Sequence, residues 1–245
     1  MIDKDFINKE LKLKDKDKLA DSLASFDINN NIDLLELDKL IIKEYSKNTF
    51  YKDLNNWLLN SQKEFYEPVA YFTARLMYSL NSFAKNEKEF FKDNKILYRG
   101  VKMPYSSLLP YEKAKGGIIV LSSFTSTSKN LSIATKFSAR KDSLELYKTN
   151  LLFSVIYYIT NIWNENWIPN GINIQNESVF KNEKEVLYQP FTFYHVKDVV
   201  INLDIFTADI HLETIGKTCI LEEEIKKGKI LIYNETQNII KAINK

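Results

Sequence analysis

The sequence predicts an α+β fold in which an N-terminal helical lobe packs on a two-sheet, β-sandwich-like core. Three observations carry this. Apolar residues recur at helical spacing up to about residue 90. After residue 95 the chain turns to β-branched and aromatic runs punctuated by Gly and Pro. Those runs lack the regular intervening helices of a doubly wound sheet. The expected division is a helical lobe over residues 1–90 and a β-rich core over 91–245, joined as one unit with a cleft between them.

Taken in order, residues 1–30 are rich in Lys, Asp and Asn and read as an amphipathic helix or two, or in part an ordered tail. Leu34, Leu37, Leu40 and Ile41 lie at helical spacing, as do Phe50, Tyr51, Leu54, Trp57 and Leu58 after a break at Tyr45–Asn48. Pro68 suits the first turn of a third helix, with Val69, Phe72, Leu76, Met77 and Leu80 as its buried face. Ile96-Leu97-Tyr98 is a short apolar run ending at Arg99-Gly100. Residues 102–115 hold two prolines and read as irregular. Gly116-Gly117 signals a turn before the β-branched run Ile118-Ile119-Val120. Phe124–Ser128 is a further strand candidate. Leu131–Phe137 fits a short helix capped by Ser128 or Asn130. Leu151–Ile159 is a strong strand, Trp163–Gly171 a loop containing Pro169, and Ile172–Phe180 leads into a Glu-Lys-Glu run. Val186-Leu187 and Phe191–Val196 continue as strand, with Pro190 implying an edge or a bulge. Val199–Leu203, Ile210–Leu212 and Lys229–Tyr233 are weaker strands.

Composition sets bounds. Of 245 residues, 44% are hydrophobic, enough for a substantial core, and the 14 Tyr and 15 Phe argue against disorder. A net charge of +2 with interspersed Lys and Glu carries no polyanion footprint, so nucleic acid is not expected as a partner. One cysteine, Cys219, excludes an intrachain disulfide framework and points to a reducing compartment. With only His195 and His211 beside it, a zinc site or a Cys-His nucleophile is not expected. His195 reads as a structural histidine. Met1–Phe6 is charged, so no Sec-type signal is readable, and no apolar run is long enough for a membrane span.

The stretch that organises the chain is Asn182–Pro190. If it is a strand, Glu183 and Glu185 share a face roughly 6–7 Å apart, with Lys184 on the other. Two nearby carboxylates that resist ionising together suit charge stabilisation and proton handling. The same letters also suit a solvated charge run, and Asn86-Glu87-Lys88-Glu89 repeats them in a helical-looking context. The weight therefore falls on the company the second copy keeps. An Arg ends a strand at Leu97–Val101, an aromatic-x-Ser-Thr-Ser run spans Phe124–Ser128, and Glu183-Lys184-Glu185 follows.

That order resembles the Arg–Ser–Glu class of mono-ADP-ribosyltransferases. Tyr45–Asn55 resembles the helical segment of the vertebrate-type arginine-specific enzymes, and Ile174–Leu187, which includes Ser178, resembles their catalytic loop and strand. The likeness runs over about residues 40–215. It implies NAD as co-substrate with no metal, a protein acceptor, and transfer to arginine. It implies that Glu185 stabilises the ribosyl oxocarbenium and holds the ribose hydroxyl, and that Glu183 orients and deprotonates an incoming guanidinium. Arg99 is expected to clamp phosphate, and Gly100 to let the backbone approach the nicotinamide amide. Ser126 is expected to hold Glu185 or the ribose, with Thr127 and Ser128 bracing the strand beside it. Phe137 matches a nicotinamide-stacking position, Arg140 a phosphate-contacting one, and Phe180 the aromatic of the acceptor-recognition loop. Two alternatives stay open: NAD hydrolysis, with water replacing the acceptor, and a binding module without turnover. The vertebrate enzymes are secreted and disulfide-linked. The single cysteine here moves the expectation toward a cytoplasmic protein or a bacterial effector or toxin delivered into a host cell.

Overall fold

The computed structural model describes residues 34–47, 51, 54–55, 58, 67–84, 96–162, 171–215, 232–233 and 239–240. The expectations for residues 1–30, for Phe50 and Trp57, for 86–89, for the Pro169 loop and for most of the 229–233 strand lie outside them. Among the described residues two helices come first, α1 (Leu34–Tyr45) and α2 (Glu67–Ala84). Ile41, Ile42 and Tyr45 of α1 meet Phe72, Leu76 and Leu80 of α2 in one buried cluster. Both sets follow the helical period, which is why the sequence pattern was readable. Buried Asp38 fastens the pair, accepting from Arg75 at 2.8 Å, Ser79 at 2.8 Å and Ser82 at 2.7 Å. Three donors on one carboxylate satisfy a charge that burial would otherwise penalise.

The strands are β1 (Ile96–Pro104), β2 (Ile118–Leu121), β3 (Thr125–Ser128), β4 (Leu152–Thr160), β5 (Gly171–Asn173), β6 (Glu185–Tyr188), β7 (Thr192–Asn202) and β8 (Thr207–Thr214). β9 (Ile232–Tyr233) and β10 (Ile239–Ile240) pair antiparallel in a second, two-stranded sheet, with β9 packed near β2. The expectation of two separate sheets is corrected. The eight strands form one mixed sheet in the order β2-β7-β8-β4-β1-β3-β6-β5. The sheet curls, because Tyr188 on β6 and Tyr194 on β7 lie far apart in that order yet their rings meet at 5.8 Å. Val186 and Tyr188 thereby share a core with Tyr157, Val196 and Leu212 from the other half. The sandwich-like pattern of inward residues was real, but hydrogen bonding continues across it. It continues through one register pair, Tyr98↔Ser128, where β1 meets β3. By contrast β1 and β4 stay paired along the whole of Ile96–Pro104.

Leu187 points the other way from Val186, as alternation requires. It joins Phe124, Ile172 and Ile174 in the cluster beneath α1 and α2. The helices therefore cover the β3-β6-β5 end of the sheet.

Other expectations are amended. Residues 102–115 are not irregular: β1 runs to Pro104 and α3 spans Tyr105–Lys113. Pro104, with φ −68°, takes the N-cap, and buried Leu108 and Tyr111 three residues apart anchor one face, which outweighs the bond lost at Pro110. Pro190 lies in the turn that carries the chain from β6 across to β7, not within a strand, and the irregularity falls instead at Val196/Asp198. Val199–Leu203 and Ile210–Leu212, expected as separate weaker strands, fall in one long hairpin of β7 and β8. After α4 (Leu131–Phe137) comes α5 (Ser143–Asn150), where no helix was expected. Its Tyr147 stacks on Phe206 at 3.6 Å, a contact with no helical period to announce it. The α4 cap is as the sequence implied, with Asn130 accepting from the Ser132 N–H at 2.9 Å.

Candidate active site

Beyond the single Tyr98↔Ser128 pair, β1 and β3 part, and a cleft of about 270 Å³ opens between them and α1 and α4. Arg99, Gly100, Ser126, Thr127, Ser128, Phe137, Phe180, Glu183 and Glu185 all line it. The sequence motifs, spread over some ninety positions, thus converge on one space.

Glu185 opens β6 opposite Ser128 in register. Alternation sends Val186 and Tyr188 into the inner core, so Glu185 faces the helices with Leu187. It is 6% exposed. Burial pushes its carboxyl above the ordinary value. Hydrogen bonds from Ser126 and Ser178 pull the other way, Glu183 adds to the rise and Arg99 opposes it. The Ser178 hydroxyl donates to Oε2 at 3.2 Å. A desolvated carboxylate held by hydroxyl donors is suited to stabilising a positive charge beside it, because little solvent screens the pair.

Glu183 differs from the strand expectation. It ends a 3-10 turn, Lys181–Glu183, and Lys184 then adopts φ 49° before β6 begins. Glu183 does not share a strand face with Glu185; a left-handed residue separates them. It is only half-buried, and burial raises its carboxyl pKa with Lys136 opposing. Ser128 locks the turn from below, donating to the Glu183 carbonyl at 2.6 Å, and Thr127 donates to the Val186 carbonyl at 2.7 Å. Both brace the strand, as the sequence implied.

Arg99 donates one N–H to the Ser126 carbonyl at 3.1 Å, which ties the two parting strands. Its planar fork has further donors at the cleft wall. A Cβ at Gly100 would run into the Ala134 carbonyl of α4. The residue is therefore required for the close seating of α4 on β1, whatever approaches it from the cleft. Phe137, at the end of α4, is 52% exposed, and Phe180 precedes the 3-10 turn; both stand at the cleft mouth.

The structure does not bring Arg140 to this space. Its guanidinium donates to the carbonyls of Ser154 at 3.0 Å and Ala208 at 3.1 Å and to Asp209 at 2.7 Å. It fastens β4 to β8. His195 lies on β7 opposite Ile118.

Sequence reasoning gave no role to several cleft residues. Tyr45 sits at the end of α1, 2% exposed. Burial first, and Glu185 next, raise its phenol so that it stays protonated. The Asn55 amide donates to its hydroxyl at 3.3 Å, and the Asn55 carbonyl accepts from the Phe124 N–H at 3.1 Å. The Tyr45–Asn55 stretch was singled out only as a stretch. Ten residues across a helix end is no structural period, so pairing could not be read from it. Ser46, inside that stretch, and Ser178, which lies against Glu185 and was named only as part of Ile174–Leu187, were likewise given no role. Among the described residues no group of three or more His, Cys, Asp or Glu is arranged to hold a metal ion.

An Arg, a Ser and a buried Glu converge where the curled mixed sheet of this α+β protein splits. Its fold is that of the mono-ADP-ribosyltransferases. The ADP-ribosyltransferase Vis, a toxin from Vibrio splendidus solved in complex with agmatine, aligns over 92% of this chain and 93% of its own, at 18% identity and a TM-score of 0.59. HopU1 of Pseudomonas syringae, also an ADP-ribosyltransferase, aligns over 86% of each chain at 13% identity and a TM-score of 0.55. Exoenzyme S from Pseudomonas aeruginosa, solved with human 14-3-3 protein beta and bound to carba-NAD, aligns over 90% and 94% at 16% identity and a TM-score of 0.53. No family model matches the sequence, and no curated protein matches it.

Proposed function

We propose that this protein transfers the ADP-ribosyl group of NAD to an arginine of a target protein. The observation that carries the reading is the convergence of Arg99, Ser126, Glu183 and Glu185 on one cleft. In the reaction the bond between ribose C1′ and the nicotinamide nitrogen breaks, and nicotinamide leaves with the electron pair. Positive charge builds on the ribose as that bond lengthens, beside Glu185. The carboxylate attracts that charge more in the transition state than in the ground state. Ser126 and Ser178 orient the carboxylate. Arg99 takes the diphosphate through its planar fork, and Phe137 covers the nicotinamide. A guanidino nitrogen then bonds to C1′, and its proton passes to Glu183.

Two observations favour arginine as the acceptor. Glu183 stands half-exposed at the mouth, able to align a guanidinium, and Vis, which has the same fold, was solved with agmatine, a small guanidinium compound. Phe180 lies beside this carboxylate as an apolar contact for the acceptor. Nicotinamide release from NAD, followed with and without agmatine, tests the reading. Agmatine-stimulated release that is lost in Glu185→Ala is the expected result. Release with no labelling of agmatine or protein arginine would leave NAD hydrolysis as the activity, and equal release by wild type and Glu185→Ala would remove the enzymatic reading altogether.

A further inference from the structure

The segment between β5 and β6 is held at two adjacent residues by two serines. The Val179 N–H donates to the Ser46 hydroxyl at 3.0 Å, and Ser46 in turn donates to the Lys43 carbonyl at 2.9 Å. This pins the segment to the C-terminal turn of α1. The Phe180 N–H donates to the Ser178 hydroxyl at 3.1 Å, while that hydroxyl donates its one proton to Glu185 Oε2 at 3.2 Å. Ser178 is 2% exposed and Glu185 6%, so water does not easily substitute for either bond. The backbone seats Ser178 independently, its N–H donating to the Ile174 carbonyl at 2.7 Å, and Ile174 donates to the Glu185 carbonyl at 3.0 Å.

We infer that Ser178 is a positioning residue that couples the conformation of the Phe180 segment to the orientation and charge of Glu185. The inference rests on the proposed transferase reading for its catalytic meaning, but the linkage itself is a property of the fold. A hydroxyl has one proton to give. While Glu185 is ionised, the proton goes to the carboxylate and the oxygen accepts from Phe180, so both ends are satisfied. If the segment swings away and takes Ser178 with it, Glu185 loses a donor that favours its charged form. A target that seats Phe180 would thereby also seat the carboxylate, and one that displaces Phe180 would weaken it. The groups facing Glu185 are Ser178 in the segment itself, Ser126 on β3, Arg99 on β1, Tyr45 on α1 and Glu183 in the turn. Ser178 is the one among them that also bonds the backbone of the segment.

The test is the titration of Glu185 in the full chain, followed by carboxyl-carbon NMR of labelled glutamate, with the resonance assigned by its absence in Glu185→Gln. Ser178→Ala should raise the Glu185 midpoint, and Ser178→Thr, which keeps the hydroxyl, should return it toward wild type. Ser178→Cys, a weaker donor of similar size, should fall between and serves if the alanine variant does not fold. With NAD, Ser178→Ala should lower kcat roughly tenfold below its new midpoint while KM changes less than about twofold. A midpoint unmoved in Ser178→Ala, or a rise that threonine does not reverse, would overturn the inference. A wild type that titrates as described yet releases no nicotinamide would overturn the transferase reading and leave the linkage standing.

Discussion

Glu183 and Glu185 are separated by the single residue Lys184 and belong to different elements. Glu183 closes a 3-10 turn at the surface, Lys184 reverses the backbone at φ 49°, and Glu185 starts a buried strand. The pair is therefore unlike in environment: one carboxylate reaches toward solvent, and the other is enclosed by Ser126, Ser178 and Tyr45.

That difference predicts a separation of activities. Glu185→Ala should lower NAD cleavage about a hundred- to a thousandfold, the scale of removing one preorganised electrostatic group. Glu183→Ala should abolish transfer to agmatine while keeping appreciable nicotinamide release, because the ribosyl cation still forms and water captures it. Parallel assays of release and labelling check this. An equal loss of release in both variants would contradict the division.

The raised pKa of Glu185 makes a stability prediction. A carboxyl whose folded pKa lies above its unfolded one binds its proton more tightly in the fold. Between the two values the unfolded state holds fewer protons, so stability falls as pH rises. The window opens near the ordinary value of 4.5 and extends upward to the folded value. Glu185→Gln removes the cost of burying that charge. Its Tm should exceed that of the wild type at about pH 8 and lose the advantage by about pH 4. Thermal melts across this range decide it, and an advantage independent of pH would point to another cause.

The two arginines implied to touch phosphate should now behave differently. Arg99→Lys should raise the KM for NAD by about tenfold, since a point charge does not replace a planar fork. Arg140→Lys should leave that KM within about twofold and instead lower stability by about 1–2 kcal/mol, through the bonds to Ser154, Ala208 and Asp209. A KM increase in both variants would return Arg140 to the cleft.

Gly100→Ala should destabilise by about 1–3 kcal/mol, as overpacking does, because the added methyl meets the Ala134 carbonyl rather than open space. Denaturant melts measure it. A stable variant with impaired NAD binding alone would assign the glycine to the ligand and not to α4.

How much of this was legible follows from which interactions have a period. Ile41, Phe72, Leu76 and Leu80 announced their helices because burial repeats with the turn. Val186 and Leu187 announced a strand buried on both faces. The curl of the sheet was not legible, since it depends on Tyr188 meeting Tyr194 and on the one bridge at Tyr98. Arg99, Ser126 and Glu185 could be gathered only because their order carried a resemblance. Ser178, Ser46, Tyr45 and Asn55 act through side-chain hydrogen bonds that join separate segments, and nothing in their spacing marks them. The partners of Arg140, which are Asp209 and two carbonyls, could not be read either, because they lie 14 to 69 residues away in sequence.

The backbone reversal at Lys184 is itself testable. A non-glycine residue at φ 49° stands in the left-handed region, and a β-branched side chain is the least tolerant of it. Lys184→Val should therefore cost about 1–2 kcal/mol, or else force the segment toward extended backbone. In the second case Glu183 would rotate onto the same strand face as Glu185, the arrangement that simple alternation expects. Lys184→Gly should keep the turn, because glycine adopts this conformation without steric cost. The readout is the ratio of agmatine labelling to nicotinamide release. Valine should lower that ratio, since the acceptor carboxylate moves while Glu185 stays in register with Ser128, and glycine should preserve it. Equal ratios in valine, glycine and wild type would mean that the reversal does not set the distance between the two carboxylates.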